Sequence, residues 1–214
     1  MELYGLKVNF LGDSITQGSC ASAQKNCYVE ILSRSCGLAA ARNYGIGGTR
    51  IARQKYPSEN PQYDRDFCSR VEEMDADADL VLVFGGTNDH GHGDAPLGID
   101  TDRTPDTFHG ACHVLCQKLL ARFPKARIVI LTPLHRIADT APKADSGAVL
   151  ADYVDIIRKT AAQYGLPILD LFETSAIRAD IPEIAARYTT DGLHPNDDGH
   201  ALLAREIAAC LHTL

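Results

Sequence analysis

The chain has 214 residues, of which 45% are hydrophobic, 23% charged and 7% aromatic, a length that suits one packed domain over residues 1–214 and leaves too little for two. This composition excludes collagen-like and fully disordered chains, and no apolar run approaches the roughly 20 residues of a membrane-spanning helix, so no membrane partner is expected. Twenty-one Lys and Arg against 28 Asp and Glu give a formal charge of −7; with no basic stripe to break that field, no nucleic-acid partner is expected either.

Short β-rich runs alternate with longer amphipathic segments, the pattern of a parallel sheet with crossover helices. In chain order, strands are expected at Lys7–Leu11, Ala41–Ile46, Asp79–Phe84, Arg127–Thr132 and Pro167–Leu171. Three of them are nearly unbroken apolar runs, as in strands covered on both faces. Helices are expected at Tyr28–Cys36 and Tyr63–Met74. Thr104-Pro105-Asp106 reads as an N-cap, an N1 proline and an early acid, opening a helical stripe from Phe108 to Phe123 that Pro124 stops. A further stripe, Leu150 to Tyr164, is closed by Gly165, and the last helix begins at Asn196 with Asp197 and Asp198 favourable to its dipole.

Two connections, Thr49–Gln62 and Asp89–Thr104, are long enough to suggest functional loops. The Asp89–Asp106 stretch carries carboxylates at 89, 94, 100, 102 and 106 against Arg103 alone. As the rim of a site it would disfavour anionic substrates. Seven cysteines, at 20, 27, 36, 68, 112, 116 and 210, form no CxxC pair and are odd in number. They read as free thiols of a reducing compartment, and Met1–Phe10 lacks the features of a secretory signal, so a cytoplasmic location is expected.

In an open parallel sheet, ligand sites lie beyond the carboxyl ends of the strands. The first three strands lead into Gly12-Asp13-Ser14-Ile15-Thr16, Gly45-Ile46-Gly47-Gly48-Thr49 and Gly85-Gly86-Thr87-Asn88-Asp89, and the last helix is preceded by Asp191-Gly192-Leu193-His194-Pro195. A hydroxyl, backbone-amide turns, a carboxamide and an Asp/His pair are the parts that acyl transfer needs. Ser14 alone reads more simply as a helix N-cap, and Asp197-Asp198-Gly199-His200 is a second Asp-x-x-His. Gly192 and Pro195 hold 191/194 in a loop, which favours that pair, and His200 then belongs to a helix face. The Gly-x-Gly-x-x-Gly nucleotide pattern fails at Arg50, and the α/β-hydrolase elbow fails at Thr16.

These four blocks, together with Asn43-Tyr44 before the second, resemble in order those of the SGNH hydrolases, also called GDSL esterases and lipases, with Ile15 in place of the Leu of that nickname. The resemblance implies an α/β fold: a three-layer α/β/α sandwich around a five-stranded parallel sheet, flavodoxin-like. It implies Ser14 as nucleophile, His194 as general base and then acid, and Asp191 as the residue that orients it. It further implies an oxyanion hole of the Ser14 N–H, the Gly48 N–H and the Asn88 amide, where losing one donor costs on the order of 100- to 1000-fold in turnover.

The expected substrate is a small-molecule carboxylic ester with a short acyl or acetyl group on a sugar or small alcohol. Lysophospholipases and thioesterases of the same family are the nearest alternatives. No metal or cofactor is expected. The rival readings are a metal-dependent hydrolase using His90, His92, His109 and His113, and a non-catalytic binding module on the same fold. Cys20 has no evident partner as an alternative nucleophile. With little chain left for a substrate domain, selectivity falls to the two long loops or to another subunit, which leaves a homo-oligomer open.

Overall fold

A computed structural model describes all 214 residues. Five parallel strands, β1 (Lys7–Gly12), β2 (Ala40–Gly45), β3 (Leu80–Phe84), β4 (Arg127–Leu131) and β5 (Ile168–Leu169), form one sheet in the order β2-β1-β3-β4-β5. Side chains alternate across a strand, so β3 sends Val81 and Val83 to one face and Leu80, Leu82 and Phe84 to the other. On the first face these pack with Phe108, Leu115 and Leu119 of α5 (Phe108–Arg122) and with Tyr153 and Ile157 of α6 (Leu150–Gln163). On the second they meet α2 (Tyr28–Cys36) and α9 (Asp197–Thr213) through Val29, Leu32, Leu203 and Ile207. This is the expected α/β/α sandwich.

Differences from the expected elements have local causes. The helix expected from Thr104 starts at Phe108. Its cap is Thr107, whose Oγ1 accepts from Gly110 N–H (3.1 Å), while the Pro105 carbonyl is taken by Arg53 N–H (2.8 Å) outside the helix. The Tyr63–Met74 helix shrinks to α3 (Phe67–Arg70) between two 3-10 turns, because the Asp66 carboxylate caps the chain anew at Ser69 N–H (2.9 Å). The fifth strand ends early where Asp170 caps α7 (Leu171–Thr174). Two short helices, α4 (Thr87–Gly91) and α8 (Pro182–Tyr188), add to the expected set.

In this strand order the chain reverses direction across the sheet between β1 and β3, and the crevice beyond their carboxyl ends is where such sheets bind ligands. Gly12 at the end of β1 stands in register with Gly45 of β2 and Phe84 of β3. At the β2 end, Gly45 is required by close approach: a Cβ there would lie 2.1 Å from the Gln17 nitrogen. That contact lets α1 (Ser14–Gln17) fold across the strand ends and present its first residue at the crevice.

Candidate active site

Ser14 is the first residue of α1, not its cap. Asp13 takes that role, its Oδ1 accepting from Ile15 N–H (3.0 Å). The Ser14 hydroxyl is thereby free of helix duty and stands 2.8 Å from His194 Nε2. His194 comes from a hairpin between α8 and α9, closed by Thr190 N–H to His194 O (3.0 Å) and Asn196 N–H to Tyr188 O (2.9 Å). Asp191 organises this hairpin. Its Oδ1 accepts the backbone N–H of Leu193 (3.0 Å) and His194 (2.8 Å), and its Oδ2 lies 2.7 Å from His194 Nδ1. With the ring proton on Nδ1 and donated to Asp191, the Nε2 lone pair faces the serine hydroxyl. Partial burial pushes the Asp191 carboxyl up, but the bonds from His194 outweigh this and bring it below the ordinary carboxylate value. The carboxylate is held ionised beside the ring.

The donors expected for an oxyanion converge on the same place. Gly48 lies at the turn after β2 with φ +75°, and a Cβ there would meet the Tyr63 ring at 2.4 Å, so only glycine fits beneath that ring. The Gly48 and Ser14 N–H groups have no protein acceptor. Asn88, on α4, donates one amide hydrogen to Thr49 O (2.9 Å), which ties it to the Gly48 turn and leaves the second amide hydrogen available. Ser14, Gly48, Asn88 and His194 all line one open cavity of about 590 Å³.

His200 is not a rival base. Fully buried, it accepts from Tyr28 N–H (3.4 Å) at Nδ1 and faces Ser19 O (3.3 Å) with Nε2; burial lowers its pKa. Nor do the four histidines of the metal reading converge. His90 Nε2 meets Ala141 O (3.1 Å), His92 meets Arg50 Nη2 (3.2 Å) and His113 meets the Tyr164 hydroxyl (3.3 Å). The groups with ligand spacing are elsewhere, at His135, Asp139 and Asp180 and at Cys20, Asp191 and His194. Cys20 thus has neighbours that the sequence did not reveal.

The long loops change places in importance. The acidic Asp89–Asp106 stretch contributes no carboxylate to the cavity: Asp94 accepts from Lys55 and Tyr56 N–H, Asp102 from Ile99 N–H and Asp106 from Arg53. The loop before Tyr63 lines the cavity with Asn60 and Gln62, and Gln17 joins them. His92 adds an imidazole that burial and the Arg50 charge hold neutral, its pKa pushed down to about 4. Sequence reading also missed Arg70, whose buried guanidinium donates to Tyr44 O (2.6 Å), Gly12 O (3.1 Å) and Thr49 Oγ1 (3.0 Å). One cation therefore joins the ends of β1 and β2 to the Gly48 turn. In the sequence Arg70 stands among Arg65, Asp66, Glu72 and Glu73, and nothing there marks it out from these charged neighbours.

Asp89 follows Asn88 on α4, is buried, and accepts from Ile51 N–H (3.0 Å) and Ala52 N–H (2.9 Å). Burial raises its pKa to about 7 despite those bonds and the Arg50 charge. Between about pH 4 and 7 the folded state therefore holds a proton that the unfolded chain has lost, so this group lowers stability as pH rises through that window. Asp89→Asn cannot ionise. Its stability relative to the wild type is expected to improve from about pH 4 to 8 in urea denaturation, and a difference independent of pH would contradict the assignment.

The model of the GDSL-like lipase/acylhydrolase family matches residues 10–202. The chain belongs to that family. Among GDSL relatives, a GDSL lipase of Mycobacterium tuberculosis is 27% identical over 205 residues, covering 94% of this chain and 79% of its own. A Lactobacillus plantarum protein of known structure superposes with a TM-score of 0.85 at 31% identity, covering 98% of each chain. An acetyl xylan esterase of known structure superposes on this fold with a TM-score of 0.62 at 21% identity, covering 96% of this chain and all of its own. This GDSL-family chain is accordingly a hydrolase, and none of its helices is long and apolar enough to cross a membrane.

Proposed function

We propose that the protein is a serine esterase that removes short acyl groups from neutral, hydroxylated alcohols such as carbohydrates. One observation carries the reading: the unbroken relay from Ser14 Oγ to His194 Nε2 (2.8 Å) and from His194 Nδ1 to Asp191 Oδ2 (2.7 Å), opening onto a cavity lined with amide donors. Ser14 Oγ attacks the ester carbonyl carbon while His194 Nε2 takes the hydroxyl proton, and Asp191 stabilises the imidazolium. The N–H groups of Ser14 and Gly48 and the Asn88 amide hold the oxyanion. His194 returns the proton to the departing alcohol, leaving an acyl group on Ser14. Water, deprotonated by His194, then releases the acid.

The alcohol preference rests on the cavity wall. Gln17, Asn60, Gln62 and Asn88 offer four carboxamides beside the Tyr63 ring, and no Asp, Glu, Lys or Arg is among the lining residues. Paired donors and acceptors next to an aromatic face suit hydroxyl groups on a partly apolar ring. Long acyl chains need an apolar channel, and only two lining residues are hydrophobic.

A fluorophosphonate probe is expected to label Ser14 stoichiometrically, and acetyl esters are expected to turn over faster than octanoyl esters of the same alcohol. Failure of labelling would favour the binding-module reading; faster octanoyl turnover would favour a lysophospholipase-like enzyme.

A further inference from the structure

We propose that Cys20, Asp191 and His194 form an inhibitory site for a thiophilic divalent cation, of which Zn²⁺ is the representative. A thiol sulfur, a carboxylate oxygen and an imidazole nitrogen, one from each residue, lie within 4.8 Å of one another. In a tetrahedral zinc site with bonds of about 2.0–2.3 Å, donors stand roughly 3.3–3.6 Å apart, so closure needs a contraction of about an ångström. Cys20 is exposed and can supply it by side-chain rotation toward the carboxylate and imidazole that the hairpin holds in place.

The backbone that carries Cys20 is held on both sides, while its thiol makes no hydrogen bond. Ser19 N–H donates to Ser14 O (2.9 Å), Ser19 O meets His200 Nε2 (3.3 Å), and Ser22 N–H and Oγ bind Asp197 (2.8 and 2.6 Å). Cys20 itself has φ +66°, a conformation in which few non-glycine residues are found.

Zinc coordination displaces the thiol proton to solvent, and water completes the tetrahedron. A cation on His194 Nδ1 removes the bond to Asp191, and one on Nε2 removes the bond to Ser14. Either way the serine loses its base. Mg²⁺ and Ca²⁺ prefer all-oxygen shells, which this sulfur, nitrogen and oxygen set does not supply. The inhibition rests on the esterase reading, whereas the binding does not.

The test titrates the wild type, Cys20→Ser and Cys20→Ala with ZnCl₂, following acetyl-ester turnover and, by calorimetry, metal binding. Wild-type activity is expected to fall at least about tenfold at micromolar zinc and to return with a chelator, with no response to Mg²⁺. Both variants are expected to retain wild-type turnover without zinc, to lose less than half of it at that concentration, and to bind one equivalent fewer. Equal inhibition and binding in all three proteins, as zinc at His135, Asp139 and Asp180 would give, overturns the proposal. Zinc binding lost with Cys20 in a protein that hydrolyses no ester would retain the site and reject the esterase reading.

Discussion

Ser14→Ala is expected to lower kcat for an acetyl ester by at least about 10⁴-fold, because removing the nucleophile of such a relay leaves only the contribution of the oxyanion donors and of substrate binding. The fold should survive. The Ser14 hydroxyl has His194 as its hydrogen-bond partner, and α1 is capped by Asp13 instead. A lost hydrogen bond of this kind costs about 1 kcal/mol, a shift of a few degrees in Tm for a chain of this size. Circular dichroism and thermal melts establish that the variant is folded, and the turnover assay then reads chemistry alone. A folded Ser14→Ala variant with near wild-type turnover would end the serine mechanism.

The two Asp-x-x-His motifs allow a crossed experiment. His194→Ala is expected to cost on the order of 10⁴- to 10⁶-fold in kcat. It should cost little stability, since His194 is only partly buried and its side chain bonds to Ser14 and Asp191 alone. His200→Ala should do the opposite. Its ring is fully buried, stacked 6.3 Å from Tyr28 and bonded between Tyr28 N–H and Ser19 O. Deleting it opens a cavity and strands polar groups, a loss of about 2–4 kcal/mol. Folded His200→Ala molecules should turn over within about tenfold of the wild type, as Ser19 borders the site without entering the chemistry. If His200→Ala abolished turnover and His194→Ala spared it, the relay would have to be reassigned.

The parts of the site that were legible in the sequence are local. Ser14 after β1, Gly48 after β2, Asn88 after β3 and the Asp191–His194 turn each sit within a few residues of the strand or helix that presents them. Their blocks could be read one at a time. Asn60 and Gln62 fall in the Thr49–Gln62 connection that its length singled out, but which of its residues face the cavity was not legible, because its path is set by Arg50 bonding to Ser58 Oγ (3.0 Å) and Tyr63 O (3.4 Å). The same holds for Cys20, which meets Asp191 and His194 only through the folding of a segment about 170 residues away in the chain. The acidic stretch misled for a related reason: its carboxylates are spent on backbone N–H groups and Arg53, which composition cannot reveal. In the fold, Thr107 displaced Thr104 as a cap because Pro105 was already engaged with Arg53.

The relay has two separate mechanical supports. Ser14 rides on the sheet, whereas Asp191 and His194 arrive together on a hairpin buttressed by Ile137 N–H bonding to Gly192 O (2.8 Å). A small tilt of that hairpin would lengthen the serine–imidazole contact while the imidazole–carboxylate contact travelled with it unchanged. If the serine-esterase reading holds, turnover is expected to be sensitive to the gap between these two supports. Because the Ile137 side chain also packs closely at Gly192, where an added Cβ would lie 2.9 Å from its own, a change of its size is expected to alter turnover without touching a reacting atom.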